Sequence, residues 1–282
     1  MTTLDVERTP PVQVIRPSKG LAWIDVRELW RYRELFYMLT LRDLKVRYRQ
    51  TLLGLAWAMV PPIALMLVFT FWFGRVAKLY SEGKPYALLV LSGFVIWLYF
   101  LNAVTFSSNS LVSNSALITK VYFPRLFAPL APVLSALFDL ALALIVLFVT
   151  MAVYGIYPAP HRAWVALPVI LLAAATALAV GMWLSALNAK YRDVRYGVPF
   201  LLQLWMFATP VFYSAALLKD TFRFVYQLNP MVAVVEWFRW SMIGGVRPSV
   251  GEALLAGTTA LVLLVTGIVY FRRMERTFAD VI

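Results

Sequence analysis

The sequence predicts an all-α integral membrane protein. It has six transmembrane helices, an N-terminal amphipathic interfacial helix and a re-entrant helical hairpin between the fifth and sixth spans. Three observations carry this reading. Of the 282 residues, 62% are hydrophobic and only 14% charged, whereas soluble domains are about half apolar and a quarter charged. The apolar residues gather into uncharged stretches of about 20 residues or more, the length that crosses a bilayer. The 26 Lys and Arg fall mostly in the segments that would share one side with the N-terminus, which places both termini in the cytoplasm.

The elements follow in order. Residues 1–22 carry three prolines and mixed charges with no apolar run, the pattern of a cytoplasmic tail rather than a signal peptide. Residues 23–53 alternate apolar and basic groups. Leu29, Tyr32, Phe36 and Leu39 follow helical spacing, with Arg31, Arg42, Lys45 and Arg49 on other faces. A helix so patterned lies in the headgroup plane. Residues 54–282 form the six-span domain. The uncharged stretch 50–74 holds span 1, with Pro61-Pro62 as a kink or break. Span 2 covers about 86–106, ending before the polar run Ser107-Ser-Asn-Ser. Span 3 lies in 126–157, interrupted only by Asp139, span 4 in 163–188 and span 5 in 196–218, which contains Pro199 and Pro210. Span 6 lies in 253–271. Between spans 5 and 6, residues 219–247 are apolar but hold Arg223, Glu236 and Arg239, and Asn229-Pro230 and Gly244-Gly245 divide them into pieces too short to cross. Such backbone is tolerated inside a membrane only where protein or a water-filled cavity surrounds it.

Composition also excludes functions. With no Cys and a single His, disulfides, a cysteine nucleophile, a zinc site and a His-based triad have no material, so neither a catalytic residue nor a metal ligand is assigned. The net charge of +12 is accounted for by topology and by anionic lipid, not by nucleic acid. No G-x-x-x-x-G-K-[ST] occurs: Gly83-Lys84 is followed by Pro85, so this chain carries no P-loop. No internal repeat supports an inverted-repeat transporter.

Several residues invite a chemical role beside a bland one. Arg47 and Arg49 flank Tyr48 at the entry to span 1. Two guanidinium groups at headgroup depth suit a diphosphate through bidentate charge-assisted bonds, although membrane anchoring alone would also put arginines there. Lys120, Tyr122, Phe123, Pro124 and Arg125 form a short patch that serves either as an interfacial anchor or as a partner-docking knob. Asp139 is an intramembrane carboxylate, a candidate by default. Ser135, one turn earlier, offers it a purely structural hydrogen bond, which is the preferred reading. Aromatic residues crowd the outer ends of spans: Trp205, Phe212 and Tyr213, with Trp237 and Trp240 in the hairpin. They form the interfacial belt or a sugar-stacking pore lining. Glu236 and Arg239 stand at i,i+3 and would pair.

Four segments carry a resemblance. Arg42-Asp-Leu-Lys-Val-Arg-Tyr-Arg-Gln-Thr-Leu-Leu-Gly-Leu-Ala-Trp57 resembles the entry to the first span of ABC-2 type permeases of polysaccharide exporters, those of O-antigen, teichoic acid and capsule. Leu117-Ile-Thr-Lys-Val-Tyr-Phe-Pro-Arg125 is similar to their segment between spans 2 and 3. Leu187-Asn-Ala-Lys-Tyr-Arg-Asp-Val-Arg195, leading to Met206-Phe-Ala-Thr-Pro-Val-Phe-Tyr213, is the third, and Leu228-Asn-Pro-Met231 the fourth. They run in family order over residues 25–275. The resemblance implies a half-transporter of the bacterial cytoplasmic membrane, with a second copy of itself, two ABC ATPase subunits that hold ATP and Mg, and a polyprenyl-diphosphate-linked glycan as cargo. It implies that residues 120–125 act as the ATPase-coupling segment and that the hairpin at 219–247 gates the far side. Two other readings stay open on chemistry alone: an ABC-2 permease for a small drug or lipid, and a polytopic enzyme acting on polyprenyl phosphates. The enzyme would need clustered acids, and Asp193 is alone in its loop.

Overall fold

The computed structural model describes residues 26–49, 54–78, 83–215, 226–275 and residue 278. The expected tail 1–22 and the hairpin's first arm fall outside the described residues, wholly or in large part. The described residues form helices and no strand. In chain order these are α1 (Val26–Arg31) and α2 (Arg33–Tyr48), then a 3-10 turn (Gly54–Ala58) leading into α3 (Val60–Phe69) and a π turn (Thr70–Val76). There follow α4 (Tyr86–Ser113), α5 (Ser115–Lys120), α6 (Phe127–Val153), α7 (Pro160–Ala163), α8 (Ala166–Lys190) and α9 (Val194–Phe207). The last two are α10 (Pro230–Ile243) and α11 (Val250–Met274).

Five segments among them are long and apolar enough to cross a membrane: Gly54–Val76, Tyr86–Ser113, Phe127–Val153, Pro160–Lys190 and Val250–Met274. They match expected spans 1, 2, 3, 4 and 6. Pro61 and Pro62 start the α-helix of the first span rather than breaking it. In the first turn the missing N–H costs little, because the first-turn N–H groups have no partner within the α-helix. The second span runs past its expected end, since α4 continues through the polar run. Ser107, Ser108 and Ser110 are buried there. The Ser107 hydroxyl donates to the Pro129 carbonyl on α6 at 2.9 Å and Ser108 returns to Thr105 O at 2.8 Å, so these two hydroxyls are satisfied without water, whereas the Ser110 hydroxyl has no side-chain or backbone partner among the described residues.

The expected fifth span departs most. Its helix, α9, has 14 residues, a rise of about 21 Å against the ~30 Å of a hydrocarbon core. Pro210 explains the stop. It cannot donate an N–H, and it pushes the preceding residue out of helical conformation. Residues 208–215 continue as irregular backbone, and 216–225 lie outside the described residues. Of the hairpin the structure describes the second arm, α10, also 14 residues and too short to cross. The Asn229 carboxamide caps it, accepting from Met231 N at 3.0 Å, with Pro230 at its first position. Gly244, at φ 75°, ends it, a conformation that side chains with a Cβ rarely adopt.

α4 is the hub. Its most apolar window is 83% buried against 6% for the first span. α6 and α8 pack along it, α3 and α10 flank it, and α11 lies on α8. α4 and α8 cross closely because Gly181 on α8 has no side chain: a Cβ there would strike Ser107. Small residues bring helix backbones together where lipid gives no hydrophobic drive.

α2 does not lie across the bundle. It runs beside the first half of α6 in the same direction, with Phe36 stacked on Phe127 at 4.8 Å and Tyr48 against Phe138 at 6.1 Å. The aromatic face that the spacing predicted packs on α6, while Tyr37, Met38 and Val46 remain exposed on the other side, as does Trp30 on α1.

Candidate functional site

Asp139 enters the bundle about 18 Å along α6 from Phe127, at ~1.5 Å per residue. A carboxylate this far into a span needs a partner. The last turn of α2 supplies two. The Arg47 guanidinium pairs with Asp139 Oδ2, and the Tyr48 hydroxyl donates to Asp139 Oδ1. Arg47 Nη2 also reaches Ser135 Oγ at 3.4 Å, and its guanidinium carbon sits 4.1 Å from the Phe106 ring centroid. Ser135 itself donates to the Pro132 carbonyl at 3.0 Å. The expected Ser135–Asp139 contact is therefore replaced by a stronger, charged one. Burial, then the neighbouring Asp139 carboxylate, push the Tyr48 phenol well above its ordinary range, so it remains a neutral donor.

These groups border a cavity of about 310 Å³. Arg47, Tyr48 and Asp139 line one wall, Trp57 and Pro61 of the first span another, and Tyr99, Asn102 and Phe106 of α4 the third. Its size stands at the lower end of small-molecule sites, about 300–1,000 Å³. Of the three residues expected at a lipid headgroup, Arg47 and Tyr48 reach this cavity. Arg49 stays exposed past the end of α2, its N–H closing the helix on Lys45 O at 2.8 Å.

A second tie links α2 to α4. Arg42 Nη2 donates to the Asn114 carboxamide at the end of α4, at 2.7 Å, and pairs with Asp43. A third joins α1–α2 to the segment before α6. The Tyr122 hydroxyl donates to Glu28 Oε1 at 2.8 Å, and its ring meets Tyr32 edge-on at 6.5 Å. Of the expected coupling residues, Tyr122 is 56% exposed and Lys120 lies at the surface, but Phe123 is 4% exposed. Phe123 and Pro124 face the chain's own core, so Tyr122 is the aromatic side chain available outside. The Arg125 guanidinium donates to the Glu275 carbonyl, tying this segment to the end of α11.

At the other end of the bundle, the irregular stretch after α9 is held by two side chains. Asn229 accepts from Trp205 Nε1 at 2.9 Å and donates to Ala208 O at 3.1 Å and Thr209 Oγ1 at 3.0 Å. Arg239, 5% exposed, donates to the carbonyls of Pro210 (2.8 Å), Val211 (3.1 Å) and Tyr213 (3.3 Å). Its role as a clamp on this turn was not predicted by its i,i+3 spacing from Glu236. Phe212 and Trp237 are 7% and 8% exposed, packed inside the chain. Phe212 sits in a cluster with Phe69, Phe73, Phe207 and Tyr213. Trp205, Tyr213 and Trp240 are half-buried, and Arg247 lies 5.6 Å from the Trp240 ring.

Sequence reasoning missed the Arg47–Asp139 pair, whose members stand 92 residues apart. The available signal was electrostatic. A lone acid inside a span demands a cation, and the arginines at the mouth of the first span were already candidates.

Comparison with known proteins agrees with this architecture. The profile of the ABC-2 type transporter family matches residues 34–243. An O-antigen export system permease protein RfbA of Myxococcus xanthus is 32% identical over 258 residues, covering 90% of this chain and 98% of that protein. Two proteins of the same name from Klebsiella pneumoniae are 26% and 25% identical over 250 residues, covering 88% of this chain and 95% of theirs. The match spans both the pocket at the end of α2 and the clamped turn before α10, and the chain belongs to the ABC-2 type transporter family.

Proposed function

We propose that this chain is the permease subunit of an ATP-driven exporter that carries polysaccharide linked to polyprenyl diphosphate, of O-antigen type, across the bacterial cytoplasmic membrane. The observation that carries the reading is the similarity to the Myxococcus permease over 98% of that protein's length. The absence of a P-loop in the sequence supports ATP hydrolysis on a separate subunit. In this reading the chain acts as a dimer with two ABC ATPases. Both termini are cytoplasmic, as the Lys and Arg bias supports. The stretch from α9 to α10 completes a sixth span and a re-entrant gate. The headgroup collects at Arg47 and Tyr48, beside the first span. Tyr122 and Lys120 present the coupling surface, and the pull of the ATPase passes to α1 through the Tyr122–Glu28 bond and to α2 through the Arg42–Asn114 bond.

Reconstitution with the cognate ATPase tests this. Glycan linked to polyprenyl diphosphate should cross the bilayer only with both chains and ATP. Transport of a small drug in its place, with no movement of glycan, would favour the other ABC-2 reading.

A further inference from the structure

We infer that Asp139 is an internal counter-ion that a lipid-borne diphosphate displaces from Arg47, so that the pocket between α2, the first span and α4 is a headgroup site guarded by its own carboxylate. The inference rests on the exporter reading above and adds the residue that controls occupancy. Arg47 as it stands is not an open cation: Asp139 takes one amino group and Ser135 the other. An anion that enters must compete with a carboxylate already in place. A diphosphate brings more charge and more acceptor oxygens than one carboxylate, and guanidinium binds phosphate oxygens in bidentate fashion.

The surroundings fit an exchange rather than a fixed pair. The pair borders a cavity of about 310 Å³ instead of packed side chains, so an occupant has room beside it. Tyr48, neutral and donating to Asp139, can keep one bond to the carboxylate after Arg47 leaves. Asn102 lines the same cavity and offers a second donor. The consequence is mechanical. Arg47 and Tyr48 are the last turn of α2, and their hold on Asp139 ties that end of α2 to α6. Its other ties are Arg42 to Asn114 and, at its start, the Tyr32 ring against Tyr122, so a bound headgroup loosens one end of a helix whose other end touches the coupling segment.

The test uses the full chain with its ATPase in nanodiscs, titrated with polyprenyl diphosphate, polyprenyl monophosphate and inorganic pyrophosphate, with thermal unfolding as the readout. Asp139→Asn should melt lower than wild type without ligand, yet reach half-maximal stabilisation by polyprenyl diphosphate at roughly tenfold lower concentration, the effect of removing one competing charge-assisted bond. The double variant Arg47→Gln/Asp139→Asn should fold like wild type and lose the preference for diphosphate over monophosphate. The inference is overturned if Asp139→Asn binds no tighter than wild type, or if the double variant keeps the preference. Pyrophosphate binding as well as the lipid would overturn the lipid assignment. Glycan export by wild type, measured in parallel, separates the two readings. Export with an unresponsive Asp139→Asn sinks the counter-ion alone, whereas absent export sinks the exporter reading even if the titration shows exchange.

Discussion

Arg47 and Asp139 pair opposite charges in a half-dry setting, and this makes each costly to remove alone. Replacing Arg47 by Ala strands a carboxylate that is 8% exposed. Breaking such a pair costs about 3 kcal/mol, while removing both partners costs far less. A double-mutant cycle on thermal unfolding of Arg47→Ala and Asp139→Ala should therefore show strong non-additivity; additive losses would mean that the pair contributes nothing. Gly93 is the opposite case, a residue defined by what it lacks. A Cβ there would run into the carbonyl oxygen of Val211 and close on the Arg239 guanidinium. Because the obstacle is backbone, Gly93→Ala should displace the turn at 210–213 and lower the yield of folded protein, whereas Gly257→Ala, with nothing near its Cβ position, should leave yield unchanged. At this scale little was legible in advance. Arg47 and Tyr48 were picked out by their place at the membrane mouth, but their partner lay on another span. Phe212 and Trp237, pore candidates by sequence, are both buried within the chain. Where nearly every neighbour is apolar, sequence periodicity does not separate a side chain facing protein from one facing lipid.

The elements were easier to read, and their failures have local causes. α6, α8 and α11 stand within a few residues of their expected ranges, because an uncharged apolar run bounded by charges permits little else. α4 outran its range because hydroxyls returned to backbone carbonyls let a polar run stay helical. α9 stopped short because Pro210 ended it, and Arg239 and Asn229, residues beyond the break, supply the hydrogen bonds the broken helix lacks. Asn229→Ala removes the cap of α10 and the tethers to Trp205, Ala208 and Thr209 together. The cap alone is worth ~1 kcal/mol, so hydrogen exchange at 208–213 and in the first turn of α10 should rise well above that of α4, and unchanged exchange would contradict the clamp. The tie between α1 and Tyr122 has its own pH signature. The Tyr122 phenol is pushed up to about 12, first by its hydrogen bond to Glu28 and then by burial. An acid whose folded value is raised stabilises the fold below its ordinary value near 10 and loses that contribution as pH climbs toward 12. Tyr122→Phe should therefore weaken α1 docking equally at pH 6 and pH 9, read by protease sensitivity near residue 28. A difference that grows between those two values would contradict it.

For the whole molecule, α1 and α2 together form a strut that joins Tyr122, the end of α4 at Asn114 and the pocket beside Asp139. The exposed Trp30 on α1 and Tyr37 and Met38 on α2 leave the outer face of this pair to lipid or a partner. As the proposed permease subunit, this chain would be a conduit driven by another protein's ATP hydrolysis. Proteoliposomes holding the purified chain, with and without its ATPase, test it most directly, by following a polyprenyl-diphosphate-linked glycan to the opposite leaflet. Transfer is expected only when chain, ATPase and ATP are all present. Transfer by the chain alone, or ATP hydrolysis by the chain alone, would contradict it.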